Sequence, residues 1–68
     1  MSRAYTMQEV VGISSESFAD AVRRAVEKVA AGFQADSWFE VIEERGHIKG
    51  GRVTEYQVRV RVAVPTSQ

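Results

Sequence analysis

The 68-residue chain is one domain's worth, and a domain this small buries only about 60% of the surface its unfolded chain exposes. Nine Lys/Arg balance nine Asp/Glu, with no cysteine and one histidine, which excludes disulfide staples and argues against a structural zinc site or a broad nucleic-acid surface. No apolar run approaches the roughly 20 residues of a membrane helix, and Met1-Ser2-Arg3-Ala4-Tyr5 lacks a leader's apolar core, so a cytoplasmic protein with no membrane partner is expected.

Residues 4–11, from Ala4 to Val11, predict a short first strand that Gly12 ends. Ser14 or Ser15 is placed to cap a helix, with Glu16 favourable in its first turn. Position 17 is Ser rather than Glu or Gln, so a full capping box is absent. Phe18, Ala21, Val22, Ala25, Val26, Val29, Ala30 and Phe33 recur at helical spacing, and Asp20, Arg23, Arg24, Glu27 and Lys28 take the opposite face. Small alanines in the apolar stripe suit close packing on a sheet, and Gly32 suits a C-terminal cap.

After the connector Gln34-Ala35-Asp36-Ser37, a second strand is expected from about Trp38 to Ile48. Gly50-Gly51 is a hairpin turn signal, and a third strand follows from Arg52 to about Val64, ended by Pro65. The expected fold is α+β, in the order β-α-β-β, with a three-stranded antiparallel sheet packed on one helix as a single domain over residues 1–68. For a scaffold this small, without disulfides or metal, association of subunits is the remaining common support.

A turn centred on Gly50-Gly51 sets Phe39 opposite Val62, Val41 opposite Val60 and Glu43 opposite Val58. That face, which also holds Tyr56, is apolar and packs the helix. The other face takes Trp38, Glu40, Ile42 and Glu44 with Val53, Glu55, Gln57, Arg59, Arg61 and Ala63. Trp38 falls opposite Ala63, Gln57 opposite Glu44, and Arg45 on the helix side opposite Tyr56. Interleaved Glu and Arg suit a salt-bridged protein interface.

The chain's single tryptophan, Trp38, is thus presented on a polar face together with Gln57. Two readings stay open. Trp38 anchors a subunit interface, or it offers an indole on which a flat heterocycle stacks while the Gln57 amide reads an edge of mixed donors and acceptors. Glu43, Glu44 and His47 lie close in sequence, but one histidine among surface carboxylates makes neither a metal site nor an acid–base pair. No nucleophile–base pair or phosphate-binding fingerprint accompanies them.

Trp38-Phe39-Glu40-Val41, Arg45-Gly46-His47-Ile48, Tyr56-Gln57-Val58 and the opening Glu9-Val10-Val11-Gly12-Ile13-Ser14 together resemble the dodecin family, and the length and element order fit it. The resemblance implies a hollow homododecamer that binds flavin without catalysis, the rings lying in pairs near two-fold axes between symmetry-related tryptophans. The stacking residue then matches Trp38, the glutamine at the ring edge matches Gln57, and an arginine of bacterial members matches Arg45. Arg3, Tyr5 and Thr6, beside the first strand, are implied at the ribityl-phosphate end. FMN and riboflavin are the expected ligands, and some bacterial members also bind coenzyme A. The hairpin register and the implied role of Arg45 disagree; either Arg45 reaching the ligand from a neighbouring subunit or a β-bulge marked by Gly46 would reconcile them.

Overall fold

The computed structural model describes residues 3–66; Met1 and Ser2, the start of the segment taken to lack a leader's core, lie outside the described residues. Strand β1 spans Tyr5–Ser14, helix α1 Phe18–Ala30, strand β2 Phe39–Lys49 and strand β3 Arg52–Pro65. The α+β, β-α-β-β architecture matches the expectation. The sheet is antiparallel throughout, in the order β1-β3-β2, so the last strand lies in the middle.

β1 runs past Gly12 because glycine is needed there for packing rather than for a turn. Gly12 faces α1, and a Cβ at this position would lie 2.2 Å from the Ala21 carbonyl oxygen and 2.8 Å from the Ala25 Cβ. Ala21 and Ala25 are buried against Val58, Val60 and Val62 of β3, with Val10, Phe18, Val22, Val26, Val29 and Phe33 packed around them. The helix therefore sits over β1 and β3.

Ser17, not Ser14 or Ser15, caps the helix: its backbone is extended and its Oγ accepts the Asp20 amide at 3.0 Å. Ser14 instead ties the preceding turn. Its buried hydroxyl accepts the Glu16 amide at 2.9 Å and donates to Asp20 Oδ2 at 2.7 Å. At the other end Ala31 is the C-cap in right-handed helical geometry, and Gly32 does not take the left-handed conformation expected of it.

The hydrogen bond from Arg24, seconded by that from Ser14, holds the Asp20 carboxyl below the ordinary aspartate range. A depressed carboxylate pKa contributes stability that is present above the unfolded value and lost as pH falls through the lower folded value. Asp20→Asn is therefore expected to lose stability at pH 7 and to differ little from the parent well below about pH 4. Urea melts at the two pH values check this.

Gly50 and Gly51 both have positive φ, 59° and 76°, and close the hairpin as expected. The register departs from expectation in its middle. Phe39 pairs with Val62 and Val41 with Val60, but Ile42 is extra in β2, after which Glu43 pairs with Arg59, Glu44 with Val58, Arg45 with Gln57 and Gly46 with Tyr56. Thr54 is extra in β3 and cancels the shift, so Ile48 pairs with Val53 and Lys49 with Arg52. Glu43 thus lies opposite Arg59 rather than Val58, and Gln57 opposite Arg45 rather than Glu44. Arg45 moves to the helix-free face; Glu44 and Val53 move off it.

The shift re-pairs the polar side chains of the hairpin. It brings Arg59 Nη1 within 3.6 Å of Glu43 Oε1 and lets Arg45 Nε donate to Gln57 Oε1 at 2.8 Å. It also sets Gly46 across from Tyr56, whose ring packs edge-on against Phe18 with centroids 5.0 Å apart.

The molecule measures 54 × 18 × 12 Å, and its radius of gyration of 14.1 Å exceeds the about 11 Å expected of a compact chain of this length. The excess comes from a hairpin longer than the helix that covers it. Val58, Val60 and Val62 of β3 are buried, whereas every residue of β2 except Ile42 is exposed.

Candidate functional site

The face of the sheet away from α1 collects the candidate residues. Alternation on β3 puts Gln57, Arg59, Arg61 and Ala63 there. Their partners on β1 add Ile13, Val11, Glu9 and Met7, and Tyr5 continues the row. This face is thus less polar than the hairpin alone indicated, because Met7, Val11 and Ile13 contribute apolar surface.

Trp38 stands at one end, immediately before β2, with 49% of its surface exposed. Its carbonyl accepts the Ala63 amide at 3.0 Å, and the Ser37 hydroxyl donates to the Ala63 carbonyl, so the chain is anchored to β3 on both sides of the Trp38 peptide. The Tyr5 ring meets the indole edge-on, centroids 4.7 Å apart and planes at 63°, and the Tyr5 hydroxyl donates to the Asp36 carbonyl at 3.4 Å. Tyr5 thus braces the indole in this chain. Its neighbour Thr6 pairs with Val64 and projects from the helix side of the sheet, away from Trp38. Arg3 is exposed just before β1.

Gln57 stands toward the other end of the same face. Its Oε1 accepts from Arg45 and its Nε2 donates to Glu55 Oε1 at 2.8 Å, so both ends of the amide are oriented. An amide has two donors and two acceptor lone pairs, which leaves one of each for a ligand. Val11, Glu43, Arg45, Gln57, Val58 and Arg59 line a shallow depression of about 130 Å³ here. Across its floor Arg59 joins all three strands, pairing with Glu9 at 3.1 Å and Glu43 at 3.6 Å.

Trp38 is level with Ala63, six residues along β3 from Gln57. At about 3.3 Å per strand residue the two are separated by roughly 20 Å. One chain therefore brings Arg45 and Gln57 together, and Tyr5 and Trp38 together, but not the two pairs. A three-ring heterocycle resting on Trp38 of one chain meets Gln57 only if a second chain supplies it.

Sequence reasoning did not single out Val11 or Glu9. Both come from β1, whose register against β3 has no local turn to announce it. Glu43, Glu44 and His47 do not converge, since Glu43 pairs with Arg59, Glu44 faces the helix side and His47 bonds Thr54. Among the described residues no group of three His, Cys, Asp or Glu side chains is placed to hold a metal ion, and no helix is long and apolar enough to cross a membrane.

Comparison with known proteins follows the same lines. The family model described as Dodecin matches residues 4–65. The curated dodecin of Thermus thermophilus is 37% identical over 62 residues, covering 91% of this chain and 90% of that protein. Among solved structures, the dodecin from Streptomyces davaonensis superposes with a TM-score of 0.88 at 26% identity over the whole of both chains. The dodecin from Streptomyces coelicolor gives 0.85 at 33% identity, covering 97% of this chain and 94% of that one.

Proposed function

The chain belongs to the dodecin family, and we propose that it binds and sequesters a flavin, riboflavin or FMN, by stacking the ring on Trp38. The observation that carries this reading is the half-exposed indole, braced by Tyr5 and anchored to β3, on a face whose other end offers an oriented amide. An aromatic held rigidly at low entropic cost is what a stacking platform requires. Indole in van der Waals contact with an excited flavin transfers an electron rapidly, so the bound ring is dark and photochemically protected. The protein acts by binding rather than by catalysis, because a ring covered on both faces leaves little room for a second substrate.

The separation of Trp38 from Gln57 supports a site shared between chains, in keeping with a homododecamer whose flavins lie between symmetry-related tryptophans. Arg45, held beside Gln57, then approaches the ring edge from the second chain, and Arg3 and Tyr5 border the ribityl-phosphate end of the first, Thr6 being turned to the helix side. Coenzyme A is a further candidate ligand, and the protein works in the cytoplasm. Riboflavin and FMN titrated into flavin-free protein are expected to lose their emission on binding; emission that stays constant at saturating protein overturns the reading. Native mass spectrometry is expected to show about twelve 7.6 kDa chains; a dimer contradicts the dodecamer, and a monomer contradicts the shared site as well.

The exposed apolar side chains Phe39 and Val41 favour a second reading, a purely structural homo-oligomer in which Trp38 is an interface anchor. It predicts that no flavin accompanies the purified protein and that Trp38→Ala breaks the assembly.

A further inference from the structure

The two bulges of the hairpin are matched. Phe39–Val62 and Val41–Val60 before them, and Ile48–Val53 and Lys49–Arg52 after them, all belong to one regular register. Only Glu43 to His47 is displaced, by a single residue. That segment can return to the regular register with the residue pairs next to the turn and at the start of β2 unchanged, the turn end of the hairpin rolling over so that Ile48 and Val53 exchange faces. β3 itself is held by β1 in an unbroken register from Tyr5–Pro65 to Ser14–Tyr56, so β2 is the strand that turns over. In the regular register Arg45 lies opposite Tyr56 on the helix side, removed from Gln57.

The forces that keep the displaced register are few. The Glu43–Arg59 pair is exposed and worth little in water. The Arg45–Gln57 hydrogen bond is exposed as well. The remaining side-chain tie lies at the second bulge. Thr54 Oγ1 donates to the His47 carbonyl at 3.3 Å and lies 3.2 Å from His47 Nδ1. A hydroxyl carries one proton, so with that proton on the carbonyl the Nδ1–H of His47 is the donor to Thr54. The extra residue of the bulge is thus clipped twice to the residue across from it, where the backbone ladder is disrupted.

We propose that Thr54 is a positioning residue for the ligand face: by pinning the β3 bulge it keeps Arg45 turned toward Gln57. The role of that face in flavin binding rests on the reading given above, whereas the placement of Arg45 does not. Thr54→Val keeps the shape and strand preference of the side chain and removes both hydrogen bonds. In its crystal structure Arg45 is expected opposite Tyr56, wholly or in part, and riboflavin is expected to bind about three- to tenfold more weakly, as for a lost hydrogen bond. Thr54→Ser, which restores the hydroxyl, returns both to the parent state. A Thr54→Val structure with Arg45 still fully opposite Gln57 overturns the inference. A turned-over Arg45 with unchanged riboflavin affinity upholds it and removes Arg45 from the flavin site instead.

Discussion

Trp38→Ala is expected to abolish flavin quenching while leaving the assembly's mass unchanged. Each base–aromatic stack is worth about 1–3 kcal/mol, a factor of roughly 5 to 150 in affinity. In a site shared by symmetry the substitution removes the indole from both faces of the ligand at once, so binding falls by far more than a single contact. The fold tolerates the change, because Trp38 is half-exposed and its backbone bond to Ala63 does not use the side chain. Trp38→Phe, which keeps a π face but a smaller and less readily oxidised one, is expected to retain part of the affinity and less of the quenching. Fluorescence titration with riboflavin beside native mass spectrometry separates the two functional readings. Undiminished quenching in Trp38→Ala ends the flavin proposal, and loss of the oligomer with no flavin binding in the parent favours the structural one.

The largest effect on stability is expected from Gly12→Ala. The added methyl would sit 2.2 Å from a backbone oxygen of α1, which cannot swing aside as a side chain would. The helix must lift from the sheet or the strand must bend, and overpacking of this kind costs about 1–3 kcal/mol. For a domain of this size that is a fall in Tm on the order of 5–20 °C at fixed protein concentration. Gly32→Ala is the control. Its nearest contact is the Val29 carbonyl at 3.5 Å and its backbone is not left-handed, so the substitution is expected to be neutral or stabilising by up to about 1 kcal/mol. Equal thermal melts for the two variants would show that α1 is free to move off β1.

These effects were unequally visible in the amino-acid sequence. The apolar repeat from Phe18 to Phe33, the Gly50-Gly51 turn and the Val alternation of β3 are local signals with one dominant interpretation each, and they were enough for the architecture. The cap was not, since Ser14, Ser15 and Ser17 are all good cap residues and only tertiary contacts allot Ser17 to the helix and Ser14 to the turn. Gly12 looked like a strand end because a glycine that admits a helix is indistinguishable, in one sequence, from a glycine that admits a turn.

The bulges were hidden for a different reason. Ile42 and Thr54 are β-branched residues at home in a straight strand, and their shifts cancel, so every pair next to the turn and at the start of β2 agrees with a regular hairpin. Gly46 was a reasonable place to look for a bulge, but the extra residue comes four positions earlier. Trp38 and Gln57 share a face, as the hairpin register indicated, and the bulge at Ile42 brings Arg45 to it. The distance between Trp38 and Gln57 could not be read from face alone.

The order β1-β3-β2 also bears on how the protein is made. A chain emerging from the ribosome in sequence order delivers β1 and β2 before the strand that lies between them. β1 and β2 are not neighbours, so neither has a sheet partner until β3 arrives, and the Tyr5–Pro65 pair spans nearly the whole of the translated length. Contacts so distant in sequence make folding slow. A chain cut short after the Gly50-Gly51 turn would hold a helix and two unpaired strands, a species exposed to adventitious strand pairing.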